Sequence, residues 1–151
     1  MLLQKLKNIL PNNGNEYPKD FQIIINNIYS DSDPDELIVK SIWNSYNYSM
    51  NAHKGQLRKS GEPYFNHCSA VGIILSEWKM DYRTISAGLM HDVIEDTSCS
   101  YQEMADNFDK EIAELVDGVS KLSGIKFSSR REKQAENFMK MFLSVAKDLR
   151  V

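Results

Sequence analysis

Cysteine is nearly absent: Cys68 and Cys99 are the only two in 151 residues. Two thiols cannot build the disulfide framework of a small secreted domain, so a reducing cytoplasm is the expected home. No apolar run approaches the roughly 20 residues needed to span a bilayer. Residues 1–10 are partly apolar, but Lys5 and Lys7 interrupt them and no small-residue cleavage site follows. They read as a short amphipathic helix or a frayed end, not as a secretory signal. A dominant charge is lacking too, since 18 basic and 21 acidic side chains leave a net charge of -3. That near-balance gives no broad case for nucleic acid or a membrane as partner, so an anionic ligand must be drawn by a local cluster. A glycine-rich Walker loop and paired Cys-x-x-Cys elements are also missing, which removes P-loop NTPase chemistry and a structural zinc site. There is no internal repeat, low-complexity tract or alternating strand pattern.

What is present is helical periodicity on an ordinary globular composition, 42% hydrophobic and 26% charged. Ser30-Asp31-Ser32-Asp33-Pro34 is a start signal, a capping residue before proline at the first helical position. Val39, Trp43, Tyr46 and Met50 then mark one helix face running to about Ala52. Residues 53–63, with Gly55, Gly61 and Pro63, read as a loop. A second helix carries Val71, Ile74, Leu75 and Trp78 on one stripe. Asp81 caps a third, with Ile85, Leu89 and Val93 on its apolar side. Ser100-Tyr101-Gln102-Glu103 is a capping box for a short fourth helix. Ile112, Leu115, Val116 and Val119 stripe a fifth, in which Gly118 obscures the end. A connector at 123–129 precedes a last helix carrying Phe138, Met141, Phe142, Val145 and Leu149. Ile23-Ile24-Ile25 fits a strand or a buried helical turn equally well. The expected fold class is all-α, a helical bundle.

The chemistry concentrates in Met90-His91-Asp92-Val93-Ile94-Glu95-Asp96. An imidazole and three carboxylates inside an apolar stretch are costly to bury, and a bound metal is an economical compensation. On a continuous third helix, His91 and Asp92 project about 100° apart, close enough to reach one ion. Glu95 follows one turn along and Asp96 flanks the same edge, so a carboxylate would stand beside the metal to handle a proton. His67, at the start of the second helix, adds a third candidate ligand. Taken alone, such a histidine is more often a hydrogen-bonded core residue than a ligand, and Glu95 and Asp96 alone suit a solvated face. His53, at the end of the first helix, reads as structural. Cys68 reads as a small packing residue. The loop Lys54-Gly55-Gln56-Leu57-Arg58-Lys59-Ser60-Gly61 holds three positive charges among flexible residues and suits phosphate contact, although most such loops are merely solvated. Together these residues make the pattern of a metal-dependent phosphohydrolase of the HD type.

Ala52-His53-Lys54-Gly55-Gln56, Arg58-Lys59-Ser60-Gly61-Glu62-Pro63-Tyr64, His67, the run from Ala87 to Thr97, Leu115-Val116-Asp117-Gly118-Val119-Ser120-Lys121-Leu122 and Gln134-Ala135-Glu136-Asn137-Phe138 closely resemble the N-terminal HD hydrolase domain of the RelA/SpoT family. The likeness runs from about residue 35 to Val151, and divides the chain into an extension, 1–30, and a hydrolase domain, 31–151. It implies hydrolysis of the alarmones ppGpp and pppGpp at the 3′-pyrophosphate, giving GDP or GTP and pyrophosphate, with Mn²⁺ as the metal. His67, His91 and Asp92 are then metal ligands. Glu95 and Asp96 are the catalytic carboxylates that orient or deprotonate water, while Arg58, Lys59 and Ser60 hold the guanine nucleotide. The two histidines must be neutral to bind metal, so activity should fall as pH drops below the imidazole range.

Two departures from the family pattern stand out. Cys68 occupies a position where the family usually has proline. The family's fourth ligand, an aspartate in a Lys-Leu-Ala-Asp-Arg-like motif, would follow Val151, and on that basis the chain reads as a truncated hydrolase domain. The alternative expectation is a non-catalytic, nucleotide-binding or regulatory module of the same fold. Oligomeric state is not legible in the sequence.

Overall fold

The structure, a computed structural model, describes residues 2–10, 16–120 and 148–150. It is all-α, as expected: eight helices and one isolated antiparallel bridge, Leu57 with Pro63, among the described residues. Two compact units divide the chain, residues 1–90 and 91–151.

The first unit holds α1 (Leu2–Ile9), α2 (Lys19–Ile28), α3 (Glu36–Ala52), α4 (Phe65–Glu77) and α5 (Tyr82–Leu89). The isoleucine run lies in α2, where Phe21, Ile24 and Ile25 are fully buried and Ile23 is exposed. Spacing of three and four residues, rather than two, marks this run as helical. Those side chains join Leu6, Ile42, Cys68, Ile85 and Leu89 in one core. Beside them Trp43 stacks on Tyr46 at 5.8 Å, and Phe65 meets Tyr46 edge-on at 4.8 Å. The Tyr46 hydroxyl donates to Asp20 Oδ1 at 2.8 Å.

Four local expectations need correction. The cap of α3 is Asp35, not Asp33: its carboxylate accepts from the amides of Leu37 and Ile38 at 2.8 and 3.1 Å. Asp33 is engaged by Lys5 instead. On that helix Val39 and Tyr46 are buried as expected, but Met50 is partly exposed and the buried row continues through Ile42, Ser45 and Ser49. The stripe of α4 is also displaced, since Ile74 and Trp78 are exposed while Cys68, Ser69, Gly72 and Ser76 are buried. α4 presents its small residues inward because α2 and α5 press closely on it. A Cβ on Gly72 would lie 2.6 Å from Leu89 Cδ2 and 3.2 Å from Ile24 Cδ1.

The fourth correction bears on function. The expected third helix does not run through His91-Asp92: α5 ends at Leu89, Met90 to Asp92 form a turn, and α6 covers Val93–Asp96. The Met90 amide bonds Ala87 O at 3.1 Å, a tightened three-residue step that closes α5. Asp81 caps α5 as anticipated, accepting from the amides of Arg83 and Thr84.

The second unit contains α6, α7 (Tyr101–Asn107) and α8 (Lys110–Ser120), with α8 packed on both others. Ser100 caps α7 through the Glu103 amide, as the capping box requires. Ile112, Leu115 and Val116 are buried, and α8 continues through Gly118 to Ser120. Arg150 pairs with Asp148 and with Glu111 of α8. The expected connector at 123–129 and the last helix, apart from Leu149, lie outside the described residues. No helix among the described residues is long and apolar enough to cross a membrane.

Candidate metal centre and basic loop

In the second unit, His91 Nε2 lies 2.8 Å from Asp92 Oδ2, with both side chains largely but not wholly buried. The turn is what permits this pairing, because neighbouring side chains on an unbroken helix diverge by about 100°. Ser120, at the end of α8, approaches the His91 carbonyl with its hydroxyl at 3.5 Å. That contact joins residues 29 apart, so no local sequence signal announces it.

The Asp96 amide bonds Asp92 O at 2.8 Å, starting α6 directly from the Asp92 backbone. Thr97 stops the helix: its hydroxyl donates to Val93 O at 2.6 Å and accepts from the Cys99 amide at 3.2 Å. Glu95 and Asp96 therefore sit on one short helical turn, both exposed. A half-buried imidazole and carboxylate in contact, with two water-facing carboxylates one turn later, can bind a divalent cation and exchange protons with water.

The first unit contributes His67 and the basic loop. His67 lies in the first turn of α4, its amide bonded to Tyr64 O at 2.9 Å and its ring edge-on to Tyr64 at 6.1 Å. Arg58, Lys59 and Ser60 occupy an exposed hairpin. The Gly61 amide bonds Arg58 O at 2.9 Å and the Arg58 amide bonds Glu62 O at 2.8 Å. Gly61 takes φ +86°, the left-handed residue that a three-residue hairpin loop needs. The loop thus offers a guanidinium, an ammonium and a hydroxyl from consecutive residues on a defined turn. Tyr64 is given no role of its own in the sequence, where it stands only as the last residue of the run from Arg58 that resembles the family.

The donor chemistry fits a divalent metal. Imidazole nitrogen suits cations such as zinc and iron and carboxylate oxygen suits harder ones such as manganese and magnesium, while the two cysteines are both buried.

A family model described as HD domain matches residues 45–151. Over 113 residues, 75% of this chain, the sequence is 51% identical to the bifunctional (p)ppGpp synthase/hydrolase SpoT of Escherichia coli K12. It is 48% identical over 113 residues to the guanosine-3′,5′-bis(diphosphate) 3′-pyrophosphohydrolase of Vibrio cholerae. A GTP pyrophosphokinase of Myxococcus xanthus is 51% identical over 122 residues, 79% of the chain. The match spans only 16% of the length of each of these relatives. The resemblance expected from the motifs is therefore found, and the chain belongs to the HD domain family.

Proposed function

We propose that this chain hydrolyses the 3′-pyrophosphate of ppGpp and pppGpp in the cytoplasm, releasing pyrophosphate and GDP or GTP. The observation that carries this reading is the His91–Asp92 contact beside Glu95 and Asp96, in a chain about half identical to a named pyrophosphohydrolase. His67, His91 and Asp92 would hold one Mn²⁺, offering two imidazole nitrogens and a carboxylate oxygen. When bound, the metal supplies Lewis acidity for water and neutralises phosphate charge. Glu95 and Asp96 orient the attacking water and take its proton. As water adds to the phosphorus next to the ribose 3′-oxygen, that P–O bond breaks and the 3′-oxygen leaves protonated. Arg58 and Lys59 offset the substrate's phosphate charge, and the Arg58 plane can stack on the guanine, with Ser60 adding a hydroxyl hydrogen bond. The hydrolase domain is proposed to span residues 31–151, with 1–30 as an extension packed on it.

The Myxococcus relative is named for pyrophosphoryl transfer to GTP, not for hydrolysis. It favours a second reading, a nucleotide-binding regulatory module without turnover. Pyrophosphate release from ppGpp by the purified chain with Mn²⁺ separates the two. Release supports the hydrolase, binding without release supports the module, and neither binding nor release overturns both.

A further inference from the structure

His53 follows the last residue of α3 and is 2% exposed, yet the reaction outlined above gives it no task. Its ring stacks on Tyr64, with centroids 4.9 Å apart and planes 24° from parallel. Its Nδ1 lies 2.8 Å from Gln56 Oε1; an amide oxygen only accepts, so Nδ1 carries the proton. The buried Nε2 has no hydrogen-bond partner among the described residues. Among the described residues, the ring's polar anchorage is therefore directed at Gln56.

Gln56 and Tyr64 are the two ends of the basic loop. The Tyr64 amide bonds Gln56 O at 3.0 Å, and the Gln56 amide bonds His53 O at 3.0 Å. Between those ends every residue from Leu57 to Pro63 is exposed, so nothing inside the span can anchor it by burial. One buried ring touches both ends, one by a hydrogen bond and the other by stacking.

We propose that His53 is a positioning residue: it ties residue 56 to residue 64 and so sets the Arg58-Lys59-Ser60 turn that receives the anionic ligand. The ligand in this statement rests on the nucleotide reading above; the anchoring does not. A buried imidazole serves both attachments because it combines a flat face with an in-plane donor. Phenylalanine keeps only the face, and asparagine keeps only the donor.

Amide hydrogen exchange on the folded chain without nucleotide reads the anchoring directly. In His53→Phe, the amides of Arg58, Gly61 and Tyr64 should exchange about tenfold faster, with the core amides of α2 and α4 unchanged. His53→Asn should recover part of the protection. Affinity for ppGpp should fall about tenfold in His53→Phe, in step with the exchange. If His53→Phe does not fold, Gln56→Leu removes the same hydrogen bond from a half-exposed position and should loosen the same amides. Unchanged loop exchange in a folded variant, or acceleration spread evenly over α2 and α4, overturns the proposal. A wild-type chain that binds no ppGpp defeats the nucleotide reading, while exchange still decides whether His53 holds the loop.

Discussion

His91, Glu95 and Arg58 divide the proposed chemistry into metal, proton and phosphate, and single substitutions should separate the three. His91→Ala should abolish Mn²⁺ binding, measured by electron paramagnetic resonance of the free ion, because one imidazole of a small donor set is lost. Glu95→Gln is nearly isosteric and lies one turn beyond the donor pair, so Mn²⁺ should remain bound. Its turnover should fall by about 10² or more, the usual scale of a lost general base. Arg58→Ala should leave metal binding intact and weaken ppGpp binding about tenfold by calorimetry, the loss of one charge-assisted contact. Full activity in Glu95→Gln would remove it from the proton-transfer role. His91 and Asp92 were legible in the sequence because such groups are chemically expensive to bury, an argument that does not extend to Glu95 and Asp96, which are exposed. The turn that brings His91 and Asp92 into contact was not legible, since the apolar pattern from Ile85 through Leu89 to Val93 runs across it unbroken.

At the scale of elements, the α4–α5 packing makes a sharper test than any exposed helix. Alanine at Gly72 gains about 1 kcal/mol of helix propensity but overpacks a site closed by Leu89 and Ile24, both fully buried, at a cost of about 1–3 kcal/mol. Gly72→Ala should therefore be destabilised by about 1 kcal/mol in chemical denaturation. At Gly88 a Cβ would meet Leu75 Cδ1, the end of a partly exposed side chain that can swing aside. Gly88→Ala should be close to neutral, and a Gly72→Ala variant more stable than Gly88→Ala would contradict this account of the packing. Helix starts at Asp81 and Ser100 were legible because capping is local chemistry between residues two or three apart. The inward face of α4 was hidden because hydropathy favours Ile74 and Trp78, whereas close approach of neighbouring helices selects Ser69, Gly72 and Ser76. Sequence periodicity reports which side chains are greasy; it does not report how near the next helix comes.

For the molecule as a whole, alkaline pH is a more telling stress than acid. Burial pushes the phenols of Tyr17, Tyr29 and Tyr46 above their ordinary value, and Asp20 pushes Tyr46 further. An unfolded chain ionises these phenols at about pH 10, whereas the folded chain resists ionisation. Their contribution to stability is thus fully present below about pH 10 and is lost as pH rises beyond it, because only the unfolded state readily releases those protons. Urea midpoints of the first unit should be level from pH 8 to about 10 and then fall, while absorbance at 295 nm should show Tyr17, Tyr29 and Tyr46 titrating late. Ionisation of these three phenols near pH 10, without loss of stability, would contradict the burial described for their rings.

The basic loop has one more consequence, and it concerns handedness. Gly55 and Gly61 sit at φ +83° and +86°, and the position a Cβ would take at each meets no atom within 4 Å. Space therefore does not select glycine there; chirality alone does. An L-alanine at either position is strained by about 1–2 kcal/mol, while its mirror image would rest in its preferred basin with open solvent around its methyl group. Semisynthetic chains carrying D-alanine at 55 and 61 should gain about 0.4–1 kcal/mol at each position through the lost freedom of the unfolded chain. Their L-alanine counterparts should lose stability at the same two atoms. Opposite signs from one methyl group and its reflection would show that glycine at 55 and 61 is selected by backbone handedness, beside the side-chain contacts that anchor the two ends of the loop.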